Sequence, residues 1–277
     1  MQLTVTILVE NTAPTPGLMG EYGFACLVNI DGRSLLFDTG SEQALFHNSR
    51  VLGVNLAEIG EVVISHGHFD HTGALLPLLE QYGPKRILAH TRLFLPRMLP
   101  KAKGGFTSIG TPFARAELEN AGATFILYDQ WKEIWPGVYL SGEIPRFNEF
   151  EDVGGDFKVE VNGRLEDDHL EDDMALVVDL PDGLVVISGC AHAGFLNIIE
   201  QARRITGKSK ILAYIGGTHL MNASESRIDK TIQALRALDI DRLVVAHCTG
   251  FHAAARLYNA LGSKVIKGET GMKFRFP

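Results

Sequence analysis

The apolar and polar positions of this chain predict an alternation of short strands and amphipathic helices. Residues 3–9 alternate as a strand does, and two hairpins follow where turn residues separate apolar runs, at 22–30 with 34–37 and at 174–180 with 184–188. Asp31-Gly32 in the first turn tolerates positive φ, as a tight hairpin requires. From residue 195 onward, helix and strand patterns alternate. The pattern therefore predicts an α/β fold.

Two stretches between these elements lack a clear period. A basic loop near 91–110 carries Lys101 and Lys103 beside two glycines, and it either closes over an anionic substrate or is a solvated surface loop. An acidic insertion near 147–173 ends in a block of charges at 166–173, which is typical of a solvated or mobile segment. A calcium site is not predicted in the insertion, because the required ligand spacing with a central glycine is missing.

The composition limits the class of protein. With 277 residues and 45% hydrophobic content, the chain is long enough to bury a sizeable core, and we expect residues 1–277 to form a single domain. A net charge of −7 argues against a nucleic-acid surface. Three scattered cysteines, no basic leader and no apolar run of about 18 residues predict a cytoplasmic protein without a membrane segment. The oligomeric state is left open.

Metal-capable side chains cluster directly after the apolar residues 62–64. His66 and His68 are two apart on extended backbone and point the same way, whereas Asp70 and His71 fall where a turn passes into a helix. Imidazole and carboxylate are both good ligands of zinc and of similar divalent ions. The spacing predicts two pairs of ligands for two adjacent ions, or for one ion with an outer pair. The alternative is a polar loop whose histidines cap a helix.

Further polar residues follow predicted strands along the chain. Loops at the carboxyl ends of strands gather along one edge of an α/β sheet, so we expect these residues to meet in one cleft. Asp38 leaves a buried strand end and should accept hydrogen bonds near the metal; the alternative is a cap for a helix starting at Ser41. The remaining strand-end candidates are Cys190, His192, His219 and His247.

The stretch Ser65-His66-Gly67-His68-Phe69-Asp70-His71-Thr72-Gly73-Ala74, preceded by Leu36-Phe37-Asp38-Thr39-Gly40, resembles the signature of the metallo-β-lactamase fold superfamily. The resemblance implies a four-layer αββα sandwich of two mixed sheets. It also implies one or two divalent metal ions, with zinc as the first choice and manganese or iron as alternatives. His66 and His68 would bind one metal, Asp70 and His71 the other, and His247 matches the last ligand histidine of the family. Asp38 would be the family's supporting aspartate.

Two positions depart from that pattern. Where the family usually has a third histidine, this chain has Glu143, and where the family usually has a bridging aspartate, it has Cys190. Some zinc β-lactamases use cysteine at the latter position. We favour His192, two residues later, as the ligand, and keep Cys190 and Glu143 as secondary candidates.

The segments around Glu143, Cys190, His219 and His247 resemble one branch of the superfamily, the dihydropteroate-synthase-like proteins, or dihydropterin-ribofuranosyl-aminobenzene-phosphate synthases. The first functional hypothesis is a hydrolase of a small anionic substrate, with Asp70 as ligand and proton acceptor. The second is a pterin transferase acting on a pyrophosphate leaving group. In that case Arg146 or the lysines Lys101 and Lys103 would hold anionic oxygens, and His219 would be a general acid or substrate contact.

A third hypothesis is a non-hydrolytic metal or redox scaffold resembling the di-iron oxygen reductases of the same superfamily. The chain has no flavin domain, which weighs against it.

Overall fold

A computed structural model describes all 277 residues, and the chain divides into two compact units. Unit 1 comprises Met1–Tyr128, Asp156–Asp168 and Glu269–Pro277, and unit 2 comprises Asp129–Gly155 and His169–Gly268. Each unit contains its own large sheet, its own helices and its own hydrophobic core. That residues 1–277 form one domain stays a prediction.

The chain forms 18 strands and seven α-helices. The strands are β1 (Leu3–Val9), β2 (Ala25–Ile30), β3 (Arg33–Phe37), β4 (Glu61–Val63), β5 (Lys85–His90), β6 (Arg97–Pro100), β7 (Phe106–Ser108), β8 (Ala123–Tyr128), β9 (Lys132–Trp135), β10 (Val138–Leu140), β11 (Lys158–Val161), β12 (Arg164–Asp167), β13 (Ala175–Leu180), β14 (Gly183–Ser188), β15 (Ile211–Gly216), β16 (Ile240–Val245), β17 (Val265–Lys267) and β18 (Lys273–Phe276). The helices are α1 (Ala44–Val51), α2 (Phe69–Thr72), α3 (Leu75–Tyr82), α4 (Arg115–Asn120), α5 (Phe195–Thr206), α6 (Glu225–Ala237) and α7 (Phe251–Leu261). Short 3₁₀ turns lie at Leu56–Glu58, His247–Thr249 and Gly262–Lys264.

The large sheet of unit 1 has the strand order β18-β1-β2-β3-β4-β5-β8. Its first four strands pair antiparallel, and the pairs from β3 to β8 are parallel. Asp31 and Gly32 have φ values of 48° and 84°, so the turn between β2 and β3 takes the predicted left-handed form. Helices α1, α3 and α4 bury their apolar residues against one face of this sheet. The parallel half places the chain after β3 and the chain after β4 at the same sheet edge.

Unit 1 also contains a small antiparallel sheet that the sequence pattern did not predict, of order β12-β11-β6-β7. Two of its strands come from the basic loop near 91–110 and two from the acidic insertion near 147–173. The expectation of an irregular loop near 91–110 was wrong, because this stretch contains β6 and β7, which pair with each other but have only four and three residues. The acidic insertion contains the β11–β12 pair, whose strands have four residues each and are rich in charge. Residues 164–167 are exposed along the outer strand.

The large sheet of unit 2 has the order β17-β16-β15-β14-β13-β10-β9. The strands from β9 to β14 pair antiparallel, whereas those from β14 to β17 are parallel. Helices α5, α6 and α7 cover one face with a core that includes Phe195, Ile198, Leu235 and Leu257. The mixed α/β fold with two large mixed sheets is therefore confirmed. None of the helices combines the length and the apolar character needed to cross a bilayer.

Candidate functional site

The predicted metal motif lies in unit 1 between β4 and α2, and its four ligand side chains form what we call the first group: His66, His68, Asp70 and His71. All four are buried, with exposures of 1%, 5%, 5% and 0%. His66 Nε2 lies 3.1 Å from His68 Nδ1, and His71 Nε2 lies 3.7 Å from Asp70 Oδ2. The rings of His66 and His71 are 4.3 Å apart between centroids. The motif therefore gathers its donors as the spacing predicted.

Asp38 orients the first group from the end of β3, where it adopts a φ of 57°. Its carboxylate accepts hydrogen bonds from the Ser65 backbone N–H, the Ser65 hydroxyl and His71 Nδ1, each at 2.7 Å. A carboxylate only accepts, so His71 carries its proton on Nδ1 and presents the lone pair of Nε2. The Ser65 hydroxyl donates to Asp38 and accepts from His66 Nδ1 at 2.9 Å, which leaves His66 Nε2 as a lone pair as well.

The expectation that Asp38 accepts hydrogen bonds beside the motif is confirmed, and the alternative of a helix cap is wrong. The segment that starts at Ser41 is capped by a different carboxylate. Glu21 accepts the backbone N–H groups of four successive residues at 2.7 to 2.9 Å, which satisfies the free donors before and at the start of α1. The Asp38 carboxylate instead accepts the hydrogen bond from His71.

Gly67, between the two histidines of the motif, has no room for a side chain. A Cβ there would lie 2.3 Å from the Leu93 carbonyl oxygen and 2.5 Å from Arg97 Nη1. Arg97 is itself buried and pairs with Asp168 at 2.9 Å. Arg97 therefore packs against the motif and is not a mobile cation of a basic loop. Lys101 and Lys103 are exposed, and their contact with a substrate stays a prediction.

The small sheet of unit 1 contributes to the surroundings of the motif. Phe157, just before β11, places its ring 5.4 Å from the ring of His68. The Phe69 N–H donates to the Ile109 carbonyl at 3.0 Å. The basic loop and the acidic insertion therefore both contact the metal motif within unit 1.

Unit 2 holds the second group, which consists of Cys190, His192, His219 and His247. These residues follow β14, β15 and β16, three neighbouring parallel strands whose carboxyl ends lie side by side. The ligand atoms of Cys190, His192 and His219 all lie within 4.8 Å of one another, and a ring nitrogen of His247 lies within the same distance of the Cys190 sulfur. The sequence pattern favoured His192 over Cys190 as a metal ligand, yet the Cys190 thiol lies close to all three histidines of the second group.

The backbone around the second group is unusual for residues with side chains. Ala191, His219 and His247 adopt φ values of 61°, 47° and 50°. Such values are uncommon outside glycine, and they cluster where a protein holds a side chain in one required direction. His192 and His247 are buried, and His219 is partly exposed.

A loop from the acidic insertion orients His192. The Val153 carbonyl accepts a hydrogen bond from His192 Nδ1 at 2.7 Å, so the lone pair is on Nε2. The neighbouring Glu151 carboxylate accepts the N–H groups of Leu196 and Asn197 at 3.0 Å each, which caps the start of α5. Burial raises the pKa of Glu151, and these hydrogen bonds offset part of that rise.

The acidic insertion was expected to be solvated or mobile, and this expectation was wrong for several of its carboxylates. Glu151, Asp168, Asp172 and Asp173 are buried. Hydrogen-bond donors make this burial tolerable: Arg97 Nε lies 2.9 Å from Asp168 Oδ2, and the Ala193 N–H lies 2.7 Å from Asp173 Oδ2. The sequence did not single out Glu151 or Val153, because their partners lie about 40 residues further along the chain and a backbone carbonyl has no sequence signature.

The structure does not bring two other predicted residues into either group. The Glu143 side chain is exposed beside a tight turn, in which Gly142 adopts a φ of 60° against the backbone of Gln130. Arg146 is also exposed and donates to the carbonyls of Ile144 and His169 at 3.0 and 2.7 Å. Glu143 is not among the side chains whose ligand atoms cluster in unit 2, and its role as a ligand stays a prediction.

Comparisons with known proteins agree on one family. A model described as the Metallo-beta-lactamase superfamily matches residues 19–247. The chain is 30% identical over 243 residues to the 7,8-dihydropterin-6-methyl-4-(beta-D-ribofuranosyl)-aminobenzene-5'-phosphate synthase of Methanocaldococcus jannaschii, which covers 84% of this chain and 82% of that protein. It is also similar to the crystal structure of a metal-dependent hydrolase of the beta-lactamase superfamily, with a TM-score of 0.85, 30% identity and 98% coverage of both chains.

A more distant likeness concerns the fold alone. Zinc-bound PqqB from Methylobacterium extorquens has a TM-score of 0.57 to this chain at 14% identity, with 98% of this chain and 99% of that chain covered.

Proposed function

Because the chain belongs to the metallo-beta-lactamase superfamily, we propose that it is a metal-dependent hydrolase that acts on a small anionic substrate, such as a phosphoester. The observation that carries the proposal is the first group, in which four buried donors surround one another and Asp38 fixes the ring of His71. A buried cluster of this kind has little purpose as a helix cap, since capping needs one acceptor and not four ligands.

The donor set of the first group fits a divalent cation. His66 Nε2 has a lone pair and lies 3.1 Å from His68 Nδ1, so a proton or a cation must lie between the two nitrogens to prevent repulsion. Two ligands of one tetrahedral zinc ion are separated by about 3.3 Å, which is close to this distance. We propose one or two ions per chain, zinc first and manganese or iron as alternatives. The proposed ligands are His66, His68, Asp70 and His71 within unit 1, and His192 and His247 within unit 2.

A bound divalent ion supplies a Lewis acid that polarises a phosphoryl oxygen and lowers the pKa of a coordinated water to about 7. Asp70 is proposed to bind through one carboxylate oxygen and to accept a proton with the other. Asp38 keeps the Nδ1 proton of His71 in place during the reaction. Lys101 and Lys103 are exposed cations suited to attract an anionic substrate. Arg146 remains a proposed contact, since a guanidinium has five N–H donors and its two bonds to carbonyls leave others available.

The test is hydrolysis by protein that has been stripped with a chelator and reloaded with zinc, manganese or iron. A panel of chromogenic phosphomonoesters, phosphodiesters and lactones serves as substrate. We expect metal-dependent turnover that His68→Ala lowers by about 100-fold or more, since a lost ligand should cost at least as much as a lost supporting residue. His252→Ala, at an exposed histidine paired with Glu225, is the control. No turnover by fully loaded protein on any member of the panel would contradict the proposal.

A second candidate is a transferase that joins a pterin to an aminobenzene derivative, as the name of the archaeal relative describes. The supporting observation is that the similarity covers more than four-fifths of both chains. In this reaction the amine nitrogen would form a bond to the pterin methylene carbon while the carbon–oxygen bond to diphosphate breaks. The amine proton goes to solvent and diphosphate leaves.

The two candidates are separated by product analysis on one preparation. Hydroxymethyl-dihydropterin diphosphate is incubated with and without 4-(β-D-ribofuranosyl)aminobenzene 5'-phosphate. A coupled product that requires both substrates, with one diphosphate released per coupling, supports the transferase. Release of diphosphate or phosphate without coupling supports the hydrolase.

A further inference from the structure

Three residues of unit 2 form a donor set of their own. Cys190, His192 and His219 come from two loops, one after β14 and one after β15, and their ligand atoms lie within 4.8 Å of one another. The two imidazole rings are 4.1 Å apart between centroids. A thiol and two imidazoles in such proximity are the chemistry of a zinc site.

The spacing is compatible with one tetrahedral ion. Zinc–nitrogen bonds of about 2.0 Å and a zinc–sulfur bond of about 2.3 Å place the ligand atoms about 3.3 to 3.6 Å apart. Because the ligand atoms lie no more than 4.8 Å apart, side-chain movements of about 1 Å at most bring them to this spacing. Three protein ligands leave a fourth position open, which is the arrangement of catalytic zinc sites.

His192 is held in the form that a ligand needs. Its Nδ1 donates to the Val153 carbonyl, so Nε2 has the lone pair. The carbonyl is in turn fixed by its neighbours: Glu151 caps α5, and Asp152 accepts hydrogen bonds from the Gly154 N–H at 2.8 Å and from Arg227 of α6. Arg227 is 4% exposed, so this loop is attached to the core of unit 2.

His219 is held from two sides. Its backbone has a φ of 47°, and its N–H lies 3.4 Å from the Cys248 sulfur. Its ring packs directly on Gly154, where a Cβ would come within 1.9 Å of His219 Nδ1. The loop that orients His192 therefore also makes room for His219, because position 154 lacks a side chain.

We propose that Cys190, as a thiolate, together with His192 and His219 binds one divalent ion of the zinc type. This inference rests on the proposed metal dependence and deepens it. His219 is then a ligand and not a proton donor, and Cys190 is a primary ligand and not a substitute for His192. The soft thiolate favours zinc or cobalt over manganese at this position.

The experiment uses cobalt in place of zinc in the full-length protein. Chelator-stripped protein is titrated with cobalt(II), and the near-ultraviolet thiolate-to-cobalt charge-transfer band is recorded alongside the visible bands. We expect the charge-transfer band in the wild type and its loss in Cys190→Ser. Metal affinity, measured by competition with a chromophoric chelator, should fall at least 10-fold in His219→Ala and stay unchanged in His252→Ala.

The outcomes separate this inference from the proposed function. Cobalt-loaded wild-type protein that hydrolyses substrate but shows no thiolate band overturns the assignment of Cys190 and leaves the hydrolase in place. A folded His219→Ala protein, verified by circular dichroism, that retains wild-type affinity and stoichiometry overturns the assignment of His219. Protein that binds no metal at all overturns both proposals. The wild-type spectrum needs no variant, so a variant that fails to fold does not remove the test.

Discussion

The two ligand groups of this protein are built in different ways. The first group takes all four donors from a six-residue stretch, His66 to His71, and needs only Asp38 from elsewhere. The second group takes its donors from three loops that follow β14, β15 and β16. A local motif forms the first group, whereas sheet topology forms the second.

The groups also differ in how they orient a histidine. His71 Nδ1 donates to a side-chain carboxylate, Asp38, and His192 Nδ1 donates to a backbone carbonyl, Val153. Both arrangements leave Nε2 as the lone pair, which is the form that binds a metal. A carboxylate can be replaced by mutation and a carbonyl cannot. The orientation of His192 can therefore be tested only through the residues that position the loop around Val153.

The largest effect is expected from Asp38→Ala. Its removal leaves the Ser65 N–H, the Ser65 hydroxyl and His71 Nδ1 buried without their acceptor. Loss of one partner of a buried charged network costs about 3 to 5 kcal/mol, and metal affinity should fall 10- to 100-fold. Urea unfolding and chelator competition measure the two quantities.

Asp38→Asn is the matched variant, because it keeps the volume and one acceptor oxygen. We expect it to lose less stability than Asp38→Ala while still losing metal affinity. If Asp38→Ala bound metal as tightly as the wild type, the orienting role of Asp38 would be wrong.

The contrast between the groups explains what could be predicted from the sequence. The hairpin turn at Asp31-Gly32 and the family resemblance were visible locally, and both are confirmed. The four donors of the six-residue motif are buried as one cluster, and their binding of metal stays a prediction. The small sheet of unit 1 was missed because its strands have only three or four residues each, too few to show a two-residue period. The support of His192 by Val153 was missed because strand order and loop packing, not residue spacing, bring the two together.

Gly67→Ala is expected to have the next largest effect, and it tests how tightly the first group is packed from behind. The added methyl would overlap the Leu93 carbonyl oxygen at 2.3 Å, a backbone atom that cannot rotate away. We expect a loss of about 2 to 3 kcal/mol in the free energy of unfolding, as for overpacking of a rigid interior. Gly60→Ala has open space around the new methyl and serves as control. Equal stabilities of the two variants would refute this packing argument.

Gly154→Ala makes the corresponding test in the second group. Gly154 and Gly104 have φ values of 84° and 87°. An alanine at either site should therefore lower the free energy of unfolding by a similar amount, about 1 kcal/mol. Only the methyl at 154 would meet a ring, that of His219, whereas position 104 has no atom within 4 Å. The His219 ring can rotate away from the new methyl, so we expect Gly154→Ala and Gly104→Ala to unfold at similar midpoints. Metal affinity should fall in Gly154→Ala and not in Gly104→Ala. Unchanged affinity would show that the position of His219 does not matter for metal binding.

The smallest structural effect is expected from the double variant Lys101→Ala with Lys103→Ala. Both side chains are exposed, so stability should change by less than about 0.5 kcal/mol. If these lysines attract an anionic substrate, KM should rise several-fold, kcat should stay nearly constant, and the difference should shrink at high salt. An unchanged KM at low ionic strength would exclude them as substrate contacts.

The proposed chemistry depends on the binding of divalent metal by this chain, and elemental analysis measures the bound metal directly. Protein purified without chelators should contain one to two equivalents of zinc, manganese or iron per chain. His66→Ala with His68→Ala should lower that content by about one equivalent while the protein stays folded by circular dichroism. A folded wild-type protein that holds less than about a tenth of an equivalent of metal per chain, even after incubation with each metal, would contradict the proposed metal dependence.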